Sequence, residues 1–316
     1  MTTSDVFDII KQGFTPKQYV VGEWLAKGEM AMIFAGRGVG KTYIALLLAH
    51  SIACRNDFLC WPTKGKGVMY FDGEMGKEAI SRRLKMMDDS TQTANGLVKD
   101  KIFIQSYQDC AMEMMWNLSD PNQQKLYDEC IEKSGCDVVI IDNINTCHHL
   151  MDNRDNEMSA WIRIQKWAVR QKGLGRCLIF IHHAGKSGMQ LGTSQKENIQ
   201  DYIIELKKSR IVSSKGTNGI EWHVDKSRDV APDALSDMFL EYHITESDGF
   251  YIRHSPLNDA KKREVKRLVT DGFTKPQIAE KLNIPKWLVT EYIKDEDDKI
   301  MPDRFYDGDD VNESPF

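Results

Sequence analysis

An α/β chain built on a mostly parallel sheet is predicted by three features of the sequence. Short continuous apolar runs, Met30–Ala35, Val68–Asp72, Val138–Asp142 and Cys177–Ile181, alternate with stretches of helical periodicity. That alternation is the pattern of a parallel sheet covered by helices on both faces. A glycine-rich turn joins the first run to a strongly apolar helix pattern from Tyr43 to about Cys54. From Tyr202 the texture changes to strands with polar turns, Tyr202–Leu206, Gly219–Val224, Met238–Ile244 and Phe250–Arg253, which predicts an antiparallel extension of the same sheet.

The remaining elements follow in order. Residues 1–29 form a polar lead-in. A helix is predicted over Lys77–Met87, a strand over Lys101–Gln105, and a helix over Pro121–Lys133 with Asp120 as cap and Pro121 in its first turn. Glu157–Lys172 is a further helix, and Ser255–Asp259 reads as a linker. After it, Asp259–Thr270, Lys275–Leu282 and Lys286–Lys294 are three short helices, with Thr274 able to cap the second and Asn283 able to take the left-handed turn. The chain thus divides into an N-terminal arm (1–24), an α/β domain (25–255), a small all-α helix-turn-helix module (256–295) and a disordered acidic tail (296–316).

Composition narrows the classes. Of 316 residues 41% are hydrophobic and 28% charged, ordinary globular usage that excludes a wholly disordered chain. The longest apolar stretches, Ile44–Ala49 among them, fall far short of the ~20 residues that span a bilayer, and the opening MTTSDVFDIIKQGF lacks a basic-then-apolar leader. A cytoplasmic protein without a membrane partner is therefore expected. Seven scattered cysteines without a C-x-x-C pair read as reduced, mostly packing thiols. The net charge of −5 conceals an asymmetry. Lys261–Lys294 carries nine bases against four acids, and 295–316 carries nine acids against two bases. An acidic total therefore does not exclude nucleic acid, because one segment is locally basic.

The glycine-rich turn, Ala35-Gly36-Arg37-Gly38-Val39-Gly40-Lys41-Thr42, fits the phosphate-binding loop with Ala in place of the first Gly. Glycines let successive backbone N–H groups wrap a polyphosphate at a helix N-terminus. Lys41 would then bridge the β- and γ-phosphates of ATP and Thr42 would bind Mg²⁺. Asp142, ending its apolar strand about 100 residues after Lys41, suits a Walker B carboxylate on the Mg²⁺ shell, with a helix cap as the plainer alternative. Glu74 follows the second strand at the ligand-binding end of the sheet, where it could deprotonate the attacking water; Asp72 could serve instead, and a solvated turn is the plainer alternative.

These residues resemble the RecA-like P-loop ATPases, particularly the RepA-like replicative helicases of plasmids and phages. The likeness spans roughly residues 20–255 and continues through Ile179-Phe180-Ile181-His182-His183-Ala184. It implies that His183, or its neighbour His182, senses the γ-phosphate, and that the loop Gly185–Gln200, with Gly192-Thr193-Ser194, lines a channel for a single strand; a disordered loop is an equally good reading of that segment. It also implies that Lys226 and Arg228 reach into a neighbouring subunit's nucleotide site. Lys207, Lys208 and Arg210 compete for that role, and a solvated turn is the bland reading. The family likeness thus implies a hexameric ring acting on single-stranded DNA, a replicative helicase. A regulatory DNA-binding ATPase, a nucleotide switch without unwinding, is the alternative.

In the C-terminal module Lys286, Trp287, Thr290 and Lys294 would face outward on a recognition helix, although such units also dock proteins. The tail ends Asp309-Asp310-Val311-Asn312-Glu313-Ser314-Pro315-Phe316. It resembles the acidic tips of bacterial single-strand-binding proteins, which implies a replication-protein partner; a solubilising tail is the commoner explanation.

Overall fold

Residues 5–14, 16–90, 95–111, 114–147, 154–184, 199–211, 217–231, 233–245 and 249–295 are described by a computed structural model. A short helix, α1 (Val6–Gln12), precedes a hairpin of β1 (Tyr19–Val21) and β2 (Leu25–Ala26). The alternating part follows as β3 (Met30–Ala35), α2 (Lys41–Cys54), β4 (Val68–Asp72), α3 (Lys77–Ser90), β5 (Ile102–Ser106), α4 (Pro121–Ser134), β6 (Val138–Asp142), α5 (Arg154–Gly173) and β7 (Cys177–His183). Then come β8 (Tyr202–Lys208), β9 (Asn218–Lys226), β10 (Met238–Thr245) and β11 (Gly249–Pro256), and finally α6 (Leu257–Thr270), α7 (Lys275–Leu282) and α8 (Lys286–Lys294).

The main sheet has the order β11-β10-β9-β8-β3-β7-β6-β4-β5. Pairings from β5 across to β8 are parallel, and those from β8 through β11 are antiparallel. This is the α/β architecture expected from the sequence. Alternate residues of each parallel strand feed opposite faces. Ala31, Ile33, Tyr70 and Ile140 pack with α2 and α3, whereas Met30, Met32, Phe71 and Ile141 pack with Tyr127 of α4 and Trp161, Ile164 and Trp167 of α5. Burial on both faces is why these strands are apolar throughout. Helix α2 is buried nearly all round because the sheet, α3 and the aromatic residues of β10 and β11 enclose it.

Two expectations need correction. The polar lead-in is not all lead-in: Val20, Val21, Trp24 and Leu25 are fully buried in the main core. Trp24 packs edge-on against Trp61 and Tyr202. These strands are only two and three residues long, so no periodic pattern announces them, and their partners are remote in sequence. The expected linker at Ser255–Asp259 is instead the end of β11 running directly into α6, with Leu257 and Ala260 packed on Phe239. The expected nucleic-acid loop Gly185–Gln200 lies almost wholly, and the acidic tail wholly, outside the described residues.

The three C-terminal helices have a core of their own, built from Val265, Leu268, Ile278, Ala279, Leu282, Val289 and Tyr292. Thr274 and Gln277 form a capping box at α7, and Asn283 sits at φ 54° to end it. Lys286, Trp287 and Lys294 are exposed on α8, Trp287 by 66%.

One charged cluster on β9 sets a pH dependence. His223 Nδ1 and Nε2 each lie 3.0 Å from a carboxylate, Asp237 and Glu221 respectively. The Asp237 hydrogen bond, then that of Glu221, pushes the imidazole up to about 9 against its ordinary 6.5. A raised folded value means that the stabilisation is complete below 6.5 and is lost as pH rises through about 9. Thermal unfolding across that window should show a loss on the order of 1–2 kcal/mol, after allowance for solvent screening, in the wild type. His223→Gln should flatten the profile; an unchanged slope in that variant would refute the assignment.

Candidate functional site

At the C-terminal edge of β3 the chain turns through Gly36–Gly40 into α2, which begins at Lys41. Gly38 at φ 74° and Gly40 at φ 108° occupy backbone conformations that side chains rarely adopt. A Cβ on Gly40 would also stand 2.9 Å from the Tyr242 hydroxyl. Arg37 and Gly38 are exposed, while Gly36, Val39, Gly40 and Thr42 are half-buried. Lys41 is 6% exposed. Burial holds its pKa below the ordinary lysine value despite the attraction of Asp142 and Glu74.

Register carries the other groups to this edge. Asp72 pairs with Asp142, and Ala35 pairs with His183. Asp142 is 2% exposed, and Tyr70, two residues before Asp72 on β4, donates its hydroxyl to Asp142 Oδ2 at 2.7 Å. Burial raises the Asp142 pKa, opposed by hydrogen bonds from Tyr70 and Thr42. Among the described residues no donor lies within hydrogen-bond reach and direction of its buried Oδ1. A buried carboxylate oxygen with unused lone pairs beside the Thr42 hydroxyl fits the hard oxygen-donor shell of Mg²⁺.

Asp72 and Glu74 divide their tasks. Asp72 is 1% exposed and accepts from four donors: Glu74 N at 3.1 Å, Met75 N at 2.9 Å, Gly76 N at 2.7 Å and Ser106 Oγ at 3.1 Å. It shapes the turn, and its side chain has no capacity left for a water. Glu74, half-exposed, projects into the site, where its Oε1 lies 3.1 Å from His183 Nε2. The Asn143 amide lies 3.2 Å from that same nitrogen. Asn143 is oriented because its side-chain oxygen accepts from Asn145 N and Thr146 N. The His183 hydrogen bond, opposed by burial and aided by the Asn143 hydrogen bond and the Lys41 charge, holds Glu74 below the usual carboxylate range. Of the two histidines, His182 is fully buried and His183 faces the site, as strand alternation requires.

Asp72→Ala should cost about 2–4 kcal/mol in urea unfolding, since four donors lose their buried acceptor. It should also cut nucleotide turnover by freeing Glu74 from its position. Retention of full stability would mean that the turn does not depend on this carboxylate.

The remaining candidates are elsewhere. β9 runs antiparallel to β8, with Lys226 opposite Ile203 at the start of that strand. Lys226 and Arg228 therefore stand at the sheet edge away from their own phosphate loop, and Arg228 lies 3.9 Å from Asp201. Among the competitors, Lys207 pairs with Glu205 at 2.6 Å and Arg210 donates to the Glu280 carbonyl. Lys208 lines a cleft of about 220 Å³ with Gly38, Val39, Asn218 and Tyr242. Asn143, Tyr70 and Ser106 escaped the sequence reading. Asn143, the residue after a strand-ending aspartate, was the one with a signal; the others needed the register.

The AAA domain family matches residues 1–189, more than half of the chain. The chain belongs to the AAA domain family. No curated protein matches it. Among solved structures, a KaiC-like protein, PH0186, from the hyperthermophilic archaeon Pyrococcus horikoshii OT3 superposes with a TM-score of 0.52 at 13% identity. The match covers 75% of this chain and 99% of that one. That similarity shows the fold: this AAA domain has the KaiC-like, RecA-type α/β architecture. Among the described residues no helix is long and apolar enough to cross a membrane.

Proposed function

We propose that this AAA domain protein is an ATP-hydrolysing motor of RecA-like type that acts on single-stranded nucleic acid as a homo-oligomeric ring, of the RepA-like replicative helicase kind. The observation that carries the proposal is the split of charged groups between the two edges of the sheet. Lys41, Thr42, Asp142, Glu74 and His183 gather at one edge, whereas Lys226 and Arg228 sit at the other. A phosphoryl-transfer site needs cations facing the γ-phosphate, and a second copy presenting its far edge would supply them.

In this reading the Gly36–Gly40 backbone and Lys41 hold the ATP phosphates, and Thr42 and Asp142 hold Mg²⁺, which would neutralise charge on the β- and γ-oxygens. Glu74, kept ionised by His183 and Asn143, orients the attacking water and takes its proton. His183 would exchange its Glu74 partner for a γ-phosphate oxygen, coupling nucleotide state to the base. Lys226 and Arg228 act on the neighbour's nucleotide. The basic face of α8, with Trp287 exposed, offers a further contact for nucleic acid.

The test is ATP hydrolysis with and without single-stranded DNA, with oligomer mass followed on the same samples. Stimulated hydrolysis by a ring-sized species, followed by strand separation, is the expected outcome. Hydrolysis indifferent to DNA would replace the motor with a regulatory switch whose output is the α6–α8 unit seated on β10 and β11.

A further inference from the structure

A second cluster of metal-ligating side chains lies at the far end of the phosphate-loop helix. His50 and Cys54 are one turn apart on α2, which places both on one helix face. Asp88 comes from α3, packed alongside. His50 Nε2 lies 3.0 Å from Asp88 Oδ1 and 3.6 Å from Cys54 Sγ, and one ligand atom from each residue falls within 4.8 Å of the others. His50 and Cys54 are buried, while the Asp88 side chain is 27% exposed and opens the cluster to solvent. The Leu97 backbone N–H donates to Asp88 Oδ1 at 2.7 Å and orients the carboxylate. None of the three takes part in the nucleotide site described above.

We propose that His50, Cys54 and Asp88 bind a zinc ion that staples α2 to α3. Tetrahedral zinc with bonds of ~2.0–2.3 Å sets its ligand atoms roughly 3.5 Å apart. The His50–Cys54 spacing already matches, and the His50–Asp88 spacing of 3.0 Å needs to open only slightly to admit the ion. One thiolate, one imidazole and one carboxylate suit zinc and do not suit Mg²⁺, which prefers oxygen ligands, so this site is chemically distinct from the one at Thr42 and Asp142. Three protein ligands leave a fourth position, which a water entering past Asp88 fills. Binding takes the proton from the Cys54 thiol and releases it to solvent. The ion would tie the helix that begins at Lys41 to the helix that follows the Glu74 turn.

The experiment uses the full chain, stripped with a chelator and free of nucleotide. Titration with Co²⁺ should produce a near-ultraviolet thiolate-to-cobalt band saturating at one equivalent, and Zn²⁺ should displace it stoichiometrically. Cys54→Ser should abolish the band, whereas Cys60→Ser, which alters an exposed thiol, should keep it. Asp88→Asn, with unchanged circular dichroism, should weaken zinc binding at least ~10-fold. Zinc at a hundredfold excess over its Kd should raise the wild-type Tm by roughly 4 °C. Absence of the band in the wild type would overturn the proposal, as would a band of undiminished intensity in Cys54→Ser. If Cys54→Ser does not fold, undiminished zinc affinity in Asp88→Asn is the overturning result.

Discussion

Glu74→Gln is expected to lower ATP hydrolysis by roughly 10²–10⁴-fold while nucleotide affinity is retained. The amide keeps the size of the side chain and can still meet His183 and Asn143, but it cannot accept a proton from water. Lys41, Thr42 and Asp142, which would hold the phosphates and the metal, are untouched. Phosphate release under saturating ATP, beside a fluorescent-nucleotide titration, separates the two effects; normal turnover would refute Glu74 as base. The pH profile adds a second readout. Hydrogen bonding from His183 holds Glu74 below its ordinary 4.5, so the contribution of Glu74 to the acid limb should lie below that value. His183→Ala removes the donor and should move the limb to higher pH.

Arg228→Ala is expected to lower hydrolysis by about 10³-fold or more, the scale of an arginine inserted across an interface. Stability should change little, because the guanidinium is half exposed. The decisive form is a mixture. Glu74→Gln chains lack the base and Arg228→Ala chains lack the cation, so each is inactive alone. In the proposed ring a mixture would contain interfaces with an intact Glu74 facing an intact Arg228, and turnover should reappear. A mixture as silent as its parts would remove Arg228 from the neighbour's site. Activity of Arg228→Ala alone would shift attention to Lys208, which lines the cleft beside this chain's own phosphate loop.

The alternation of buried strands and helices was readable in the sequence because a strand covered on both faces must be apolar at every position. The phosphate loop was equally readable, since Gly38 and Gly40 occupy conformations for which few other residues suffice. Local chemistry also specified the caps: Asp120 accepts from Asn122 N, and Thr274 with Gln277 closes the first turn of α7. Sequence patterns failed where the elements were too short to show a period, as at Tyr19–Val21, or where a polar stretch continued a strand into a helix, as at Ser255–Leu257.

The sequence by itself determined the fold class and the chemical groups available to the site: the glycines, Lys41, Thr42, Asp142, and a carboxylate after the second strand. Only the tertiary structure decided which carboxylate and which histidine face the nucleotide edge. Asp72 and Glu74 are two residues apart and chemically alike. Four donors, one of them Ser106 from the neighbouring strand, engage Asp72, and His183 from a strand two positions across the sheet engages Glu74. Sheet register brings those partners together, and register depends on contacts between segments more than a hundred residues apart, which no local pattern encodes. The same holds for His50, Cys54 and Asp88, which share a site only because α2 packs on α3.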